Sequence, residues 1–325
     1  MATIYDVARA AGVSPATVSR VFNGTSVSAE KVDAVRAAAR ELRFVPNRTA
    51  RTLRRRSSEV IGLIIPDIEN PYFTELARGV EDVASEAGYS VVLCNSDAEP
   101  AKEATYLGIA VAEHMSGVIL APASDRSDLD AIQSAGRPVV AVDRHADREI
   151  DSVVMANRDA GYAAASHLLR SHRRVAYIGG PEHIETAAER AEGWRQAHRD
   201  AGVEPPGELL LFSSFRVDGG REAMERLLAL PDPPDAVVAG NNLIGVGAIQ
   251  VLSEHALTPP RLAVAVIGGL PFTTLSPSAV TVVRLPAREM GMTAARMLLE
   301  RVRGGDAPPR NIVLGGELHP ASAGD

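Results

Sequence analysis

Donors suited to a polyanion crowd one end of this chain. The first 58 residues hold 11 Lys and Arg against 4 Asp and Glu, whereas the whole 325-residue chain holds 34 against 41. A basic start on an acidic remainder predicts that only the N-terminal piece faces nucleic acid or another polyanion. The single cysteine, Cys94, sits in an apolar run and reads as a small buried side chain; a lone cysteine makes neither an internal disulfide nor a cysteine metal site. A hydrolytic set would have to be drawn from Asp143 with His145, or from Ser213-Ser214 with distant histidines, and no spacing ties these together. The sequence has no P-loop, no HExxH and no GxSxG elbow, and Gly240-Asn241-Asn242-Leu243-Ile244-Gly245 does not match a dinucleotide loop. Binding rather than catalysis is the chemistry these residues predict, with no cofactor and no metal.

The elements that would position the basic piece are three short helices. Thr3 as N-cap, with Asp6 at the capping-box position, starts the first, and Ile4, Val7, Ala8 and Ala11 form its apolar stripe. Gly12 breaks it. Ser14 before Pro15 starts a second helix, whose buried face is Val18, Val21 and Phe22 and whose end falls near Asn23 and Gly24. A third helix after Ser28 buries Val32, Val35, Ala39 and Leu42 over the other two. Two helices joined by a tight glycine turn are a helix-turn-helix pattern.

From about Val60 onwards short β-branched runs alternate with helical stretches. The first series is Val60 to Ile65, Ser90 to Cys94, Gly117 to Leu120, Pro138 to Val142 and Ser152 to Met155. The second is Arg174 to Ile178, Glu208 to Phe212, Asp235 to Ala239, Leu262 to Ile267 and Ala279 to Val283. Strands recurring with helices between them predict parallel sheets covered on both faces, in two doubly wound α/β lobes. Residues 286–303 read as one more amphipathic helix, and Asn311 to Leu314 as a final strand crossing back between lobes. Met1 to Asp6 lacks the basic and apolar regions of an export signal, and no stretch reaches the roughly 18 uninterrupted apolar residues of a membrane span, so a cytoplasmic chain is expected.

Tyr5-Asp6-Val7-Ala8, Ala11-Gly12-Val13-Ser14, Thr17-Val18-Ser19-Arg20-Val21 and Val45-Pro46-Asn47-Arg48 resemble the LacI family of bacterial regulators. Asp67 to Phe73 (DIENPYF), Asp143-Arg144, His167-Leu168-Leu169, His172 to Ala176, and Arg190 with Gly193 follow in that family's order. The resemblance implies a helix-turn-helix domain over residues 1–45, a hinge helix and linker over 46–58, and a periplasmic-binding-protein-like body over 59–325. The first lobe of that body would comprise 59–157 and 287–308, the second 158–284 and 309–325. It further implies a homodimer that represses from a palindromic double-stranded DNA operator, switched by a small-molecule effector that is sugar-like or an anionic metabolite.

In that frame the second helix enters the major groove, where Arg20 contacts either a guanine edge or a phosphate. Pro15 and Ala16 stand at base-reading positions, although proline has no donor and Ala16 offers only a methyl to thymine. Ser14, Thr17, Ser19 and Asn23, with Thr3 and Tyr5, are implied phosphate or base-edge contacts. Pro46 to Arg54 is shorter than the roughly 12 to 15 residues at which an isolated helix becomes marginal, so it is expected to order only on DNA. Leu53 would wedge the central base step in the minor groove, with Asn47, Ala50 and Arg51 facing groove or phosphates.

The effector residues implied by the family are Asp67, Tyr72, Phe73, Asp143, Arg190, Phe215, Asn242 and Gly268. Arg190 offers a rigid fork and Phe215 a stacking face, while Trp194 reads as core. The chain departs from the family where Asn241-Asn242 replaces Asn-Asp and where Val266 to Pro271 replaces Gly-Phe-Asp-Asp-Ile-Pro. Both changes remove carboxylates and make an anionic effector easier to accommodate. Ala156, where the family has Asp, and Ser171, where it has Gly, are further departures. The competing reading is a solute-binding protein of the same fold without DNA-linked regulation; the missing export signal and the basic head count against it. Leu53→Ala is expected to weaken operator binding far more than non-specific binding in a titration against both DNAs. Equal losses would remove the wedge role.

Overall fold

The fold is described from a computed structural model for residues 2–22, 27–44, 58–124, 127–204, 207–270 and 279–321. By contacts the chain forms two compact units, Met1–Ser58 and Glu59–Asp325. In the first, α1 (Ile4–Ala10), α2 (Pro15–Phe22) and α3 (Ala29–Glu41) enclose Val7, Ala8, Val18, Val35, Ala38 and Ala39. Phe22 and Phe44 close one side of this core, with ring centroids 5.9 Å apart. Leu42, predicted in the core, is 36% exposed. It is the C-cap of α3 and so falls off the helical stripe, and Ala38 is buried instead. The hinge segment lies outside the described residues.

The second unit contains two sheets. In chain order its elements are β1 (Val60–Ile65), α4 (Pro71–Glu86), β2 (Ser90–Asn95), α5 (Pro100–Ala112), β3 (Val118–Leu120), α6 (Asp130–Ser134), β4 (Val139–Asp143) and β5 (Asp151–Met155). Then come α7 (Asn157–Leu169), β6 (Val175–Gly179), α8 (Glu185–Asp200), β7 (Leu210–Phe212), α9 (Val217–Leu228), β8 (Ala236–Ala239), α10 (Asn242–Glu254) and β9 (Ala263–Ile267). The last are β10 (Thr281–Arg284), α11 (Ala287–Val302), β11 (Asn311–Leu314) and β12 (Glu317–His319). The first sheet runs β11-β5-β4-β3-β1-β2 and the second β12-β10-β9-β8-β6-β7. Every pairing is parallel except β10 with β12. Each sheet thus repeats one doubly wound order, whose direction reverses beside β1 in the first and beside β6 in the second. The central strands β3, β4, β5, β6 and β8 are buried at every residue, as parallel strands covered on both faces must be. No helix among the described residues is long and apolar enough to cross a membrane.

Three helix pairs cover these sheets at unusually close range. An added Cβ at Gly79 or Gly291 would lie 2.1 Å from a backbone oxygen of the partner helix where α4 crosses α11. Gly161 and Gly193 do the same at 2.0 Å between α7 and α8, and Gly220 and Gly247 at 2.3 and 2.1 Å between α9 and α10. At all three crossings backbone meets backbone, leaving no room for a methyl group.

The chain passes between sheets after β5, after β10 and after β11. The third passage corrects the expectation that residues 309–325 belong wholly to the second lobe. Asn311–Leu314 pairs in parallel with β5 in the first sheet, and only β12 joins the second. Asp151 explains this placement: its carboxylate accepts from Arg301 Nε at 2.8 Å and Nη2 at 2.9 Å, and from the Arg310 backbone N–H at 2.8 Å. These bonds fasten the end of α11 and the start of β11 to the first residue of β5. Burial pushes the Asp151 carboxyl up, but the Arg301 hydrogen bonds and the Arg310 N–H outweigh it and hold the group below its ordinary value.

Because the folded-state pKa is depressed, the stabilisation is complete above the ordinary aspartate value of about 4 and is lost as pH falls through the depressed value. Asp151→Asn is expected to lower stability at pH 7 by about 3 kcal/mol, the order for breaking a buried pair. In urea melts from pH 7 to pH 2.5 the gap between variant and parent should narrow below about pH 4. A constant gap would show that the charge is not what matters.

Candidate functional site

In the N-terminal unit, residue chemistry is divided between building helices and facing outward. Thr3 Oγ1 accepts from the Asp6 N–H at 3.3 Å, while Asp6 Oδ2 accepts from the Thr3 N–H at 2.9 Å and Thr3 Oγ1 at 2.7 Å, completing the predicted capping box. Those bonds hold the Asp6 carboxyl below its usual range. Ser14 Oγ accepts from the Thr17 N–H at 3.1 Å and meets Thr17 Oγ1 at 2.9 Å, so both hydroxyls shape the start of α2. Tyr5 is 67% exposed. Ala16 and Arg20, four residues apart and both exposed, share one face of α2, while Val18 is buried. Pro15, Thr17 and Ser19 are half-buried. Asn23, Asn47, Ala50, Arg51 and Leu53 lie outside the described residues.

In the second unit a cleft of about 220 Å³ lies between the two sheets. Its walls follow from strand direction: Asp67 follows β1, Asp97 follows β2 and Asp143 ends β4, while Pro181, Ser214, Asn241 and Gly268 follow β6, β7, β8 and β9. The carboxyl ends of both parallel sheets therefore open on the same space. All eight predicted effector residues, Asp67, Tyr72, Phe73, Asp143, Arg190, Phe215, Asn242 and Gly268, line it. Sequence reasoning missed Asn70, Asp97, Arg144, Thr186, Ser214, Arg216 and Asn241. Arg144 directly follows Asp143, and Asn70 precedes a proline as a helix start does, so both were readable; the others became visible only once strand ends were fixed.

The floor of the cleft is charged and buried. Arg190 is 5% exposed; its Nε donates to Asn157 Oδ1 and its Nη1 to the Gly240 carbonyl, each at 2.8 Å. Arg144 Nη1 donates to the Pro122 carbonyl at 3.1 Å, and its Nε lies 3.4 Å from Asp143 Oδ2. Asp143 takes a left-handed backbone, φ +67°, which turns the chain sharply as β4 ends. The Tyr72 hydroxyl donates to Met290 Sδ at 3.3 Å, and burial, then the Asp143 charge, hold it far above the ordinary phenol value, as a neutral donor. Phe215 packs against Gly180, where an added Cβ would stand 2.3 Å from its ring. Trp194 is core, as predicted, with Nε1 donating to the Val175 carbonyl at 3.1 Å.

Among the described residues, three polar side-chain contacts span the lobes. Asn70 Oδ1, which caps α4 by accepting from the Tyr72 N–H, also accepts from Asn242 Nδ2, each at 3.0 Å. Glu185, at the start of α8, accepts from the His145 backbone N–H at 2.9 Å and meets its Nδ1 at 2.6 Å. At the surface Arg216 Nη1 reaches Glu69 Oε2 at 3.4 Å. Every one joins the end of a strand or the start of a helix in one lobe to its counterpart in the other.

Comparison with known proteins agrees with this division. Residues 3–47 match the family described as bacterial regulatory proteins, lacI family, and residues 58–316 match the periplasmic binding proteins and sugar binding domain of LacI family. The ribose operon repressor of Halalkalibacterium halodurans is 35% identical over 311 residues, covering 93% of this chain and 91% of that protein. The repressor PurR of Mannheimia succiniciproducens is 32% identical, covering 98% and 96%. Among solved structures, the lac repressor dimer bound to operator and the anti-inducer ONPF superposes with a TM-score of 0.83 at 25% identity, covering 98% and 97%. The regulator CelR in complex with cellobiose gives 0.73 at 30% identity, covering 98% of both chains. The match to the head sets aside a solute-binding protein without DNA-linked regulation. With both units matched in order and nearly end to end, this chain belongs to the LacI family of bacterial transcriptional regulators.

Proposed function

We propose that this regulator is a cytoplasmic repressor without catalytic activity, acting as a homodimer on a palindromic operator, and that a small hydroxylated effector in the inter-lobe cleft switches its affinity for DNA. One observation carries the reading: both sheets direct their strand ends into one cleft with a buried arginine on its floor, in a chain whose basic head exposes Ala16 and Arg20 on one helix face. The proposed effector contacts are Asp67, Tyr72, Phe73, Asp143, Arg190, Phe215, Asn242 and Gly268, now with Arg144. At about 220 Å³ the cleft is below the roughly 300 to 1,000 Å³ of drug-sized sites and suits a molecule the size of one sugar ring. Relatives crystallised with cellobiose, with ribose and with ONPF support a hydroxylated ligand. A single head makes too few base contacts for tight specific binding, and two heads on a palindrome double them and set their spacing.

The test is selection of sheared genomic DNA on the purified chain at fixed, near-physiological salt, followed by sequencing of what is retained. Enrichment of a short palindrome upstream of a metabolic operon is expected. Failure to enrich any sequence, with or without added metabolites, would overturn the reading. On the selected site, Arg20→Ala is expected to lose about 1 to 3 kcal/mol of discrimination at one G·C position. A uniform loss across sequences would move Arg20 to the phosphate backbone.

A further inference from the structure

Resting on the reading of the cleft as the effector site, we propose that Arg216 is an electrostatic latch at the mouth of that cleft. Its charge holds the second lobe against Glu69 and Asp97 of the first, so that ionic strength sets how far the lobes stand apart. Topology gives the contact its leverage. The chain passes between sheets after β5, β10 and β11, and these strands lie at one edge of each sheet: β11 and β5 end the first, β12 and β10 the second. Asp97 follows β2 and Arg216 follows β7, the outermost strands at the opposite edges, and Glu69 follows β1 beside β2. Five neighbour spacings of about 4.8 Å cross each sheet, so a lobe rotation of roughly 10° about the passages moves the far edge by about 4 Å. The other two contacts between lobes involve Asn242, after β8, and His145, after β4, both inside their sheets. The Arg216 contact is therefore the most sensitive of the three to lobe angle.

Both sides of this gap break local rules. Arg216 is the N-cap of α9, φ −102° and ψ 167°, and makes no side-chain cap bond. That position favours Ser, Thr, Asp or Asn, whose oxygen accepts from open N–H groups, and a cation there opposes the helix dipole. Across the gap, Asp97 and Ala98 both take a left-handed backbone, φ +53° and +57°, which alanine adopts only under constraint. The turn carries Asp97 to the rim of the cleft, where Asn95 Nδ2 donates to its Oδ1 at 2.7 Å and Lys102 pairs with its Oδ2. The Lys102 bond foremost holds the Asp97 carboxyl below its usual range, and the Arg216 charge acts in the same direction. Glu69 Oε2 lies 3.4 Å from Arg216 Nη1, with the two side chains 77% and 51% exposed. An ion pair that open to water grips weakly and is screened by salt, as a latch that must release requires. Two departures from local preference that face each other across one gap mark a functional contact.

The test reads the gap directly in the full-length chain. Spin labels on Ala104→Cys of α5 and Glu222→Cys of α9, both exposed positions, would be placed in a Cys94→Ser background. Double electron–electron resonance, with labelled chain diluted into excess unlabelled chain, then reports distances within one chain. At low salt the parent is expected to show one dominant short distance. Arg216→Glu should move at least about threefold of the short-to-long ratio towards distances about 4 Å or more longer. Raising salt to about 0.5 M should do the same to the parent. Adding Glu69→Arg to Arg216→Glu should restore the short distance. Identical distributions for parent and Arg216→Glu at low salt would overturn the latch, as would a charge exchange that behaves like the single variant. The measurement uses neither effector nor operator, so its failure leaves the reading of the cleft standing. That reading fails separately, if Arg190→Met leaves effector-dependent release from the selected operator unchanged.

Discussion

A parallel sheet sends the carboxyl end of every strand, and the amino end of every following helix, to one edge. When two such sheets from one chain face each other at those edges, all the groups able to grip a ligand converge on one cleft. Arg190 shows how strongly the rest depends on that convergence. It stands on α8, yet its fork is held by Asn157, the first residue of α7, and by Gly240 at the end of β8. A cation so placed is tolerable only because the strand-end carbonyl and amide dipoles around it partly replace water. The floor is therefore preorganised, and its remaining donor capacity is directed to whatever enters the cleft.

The connections between the lobes bear on how the cleft could change shape. Three chain passages join the lobes, while the helix pairs on each lobe, crossing backbone to backbone at paired glycines, leave little room for deformation within it. Rigid lobes on a flexible junction favour closure as a whole-body motion over local rearrangement. The bonds Asn70 to Asn242 and Glu185 to His145 join the two lobes across the cleft. Asp151, gripping Arg301 and the Arg310 backbone, keeps the third passage anchored to the first sheet so that β11 and β12 hold separate lobes.

Much of this was legible from residue order. The capping box of Thr3 and Asp6, the core role of Val18 and Trp194, and eleven of the twelve strands found among the described residues follow from local patterns that the tertiary structure reinforces. The eight effector positions were reachable only through resemblance, because no periodicity says that Phe215 and Asp143 approach the same space from different sheets. Leu42 misled because a helix stripe was extended one residue past its end. Residues 309–325 misled because the deciding contacts join Asp151 to Arg301 and Arg310, about 150 positions away. Arg144 was overlooked although adjacent to Asp143, since its role depends on an unmet Nε that only packing reveals.

The central claim is that cleft closure is coupled to the grip on DNA, and it can be tested without knowing the effector. In a Cys94→Ser background, Asn70→Cys and Asn242→Cys would be joined by a short thiol cross-linker, and operator affinity measured before and after cleavage of the link. Locking the lobes is predicted to change affinity at least tenfold, within the 5- to 150-fold range of typical allosteric coupling. Equal affinity in the locked and released states would contradict the account.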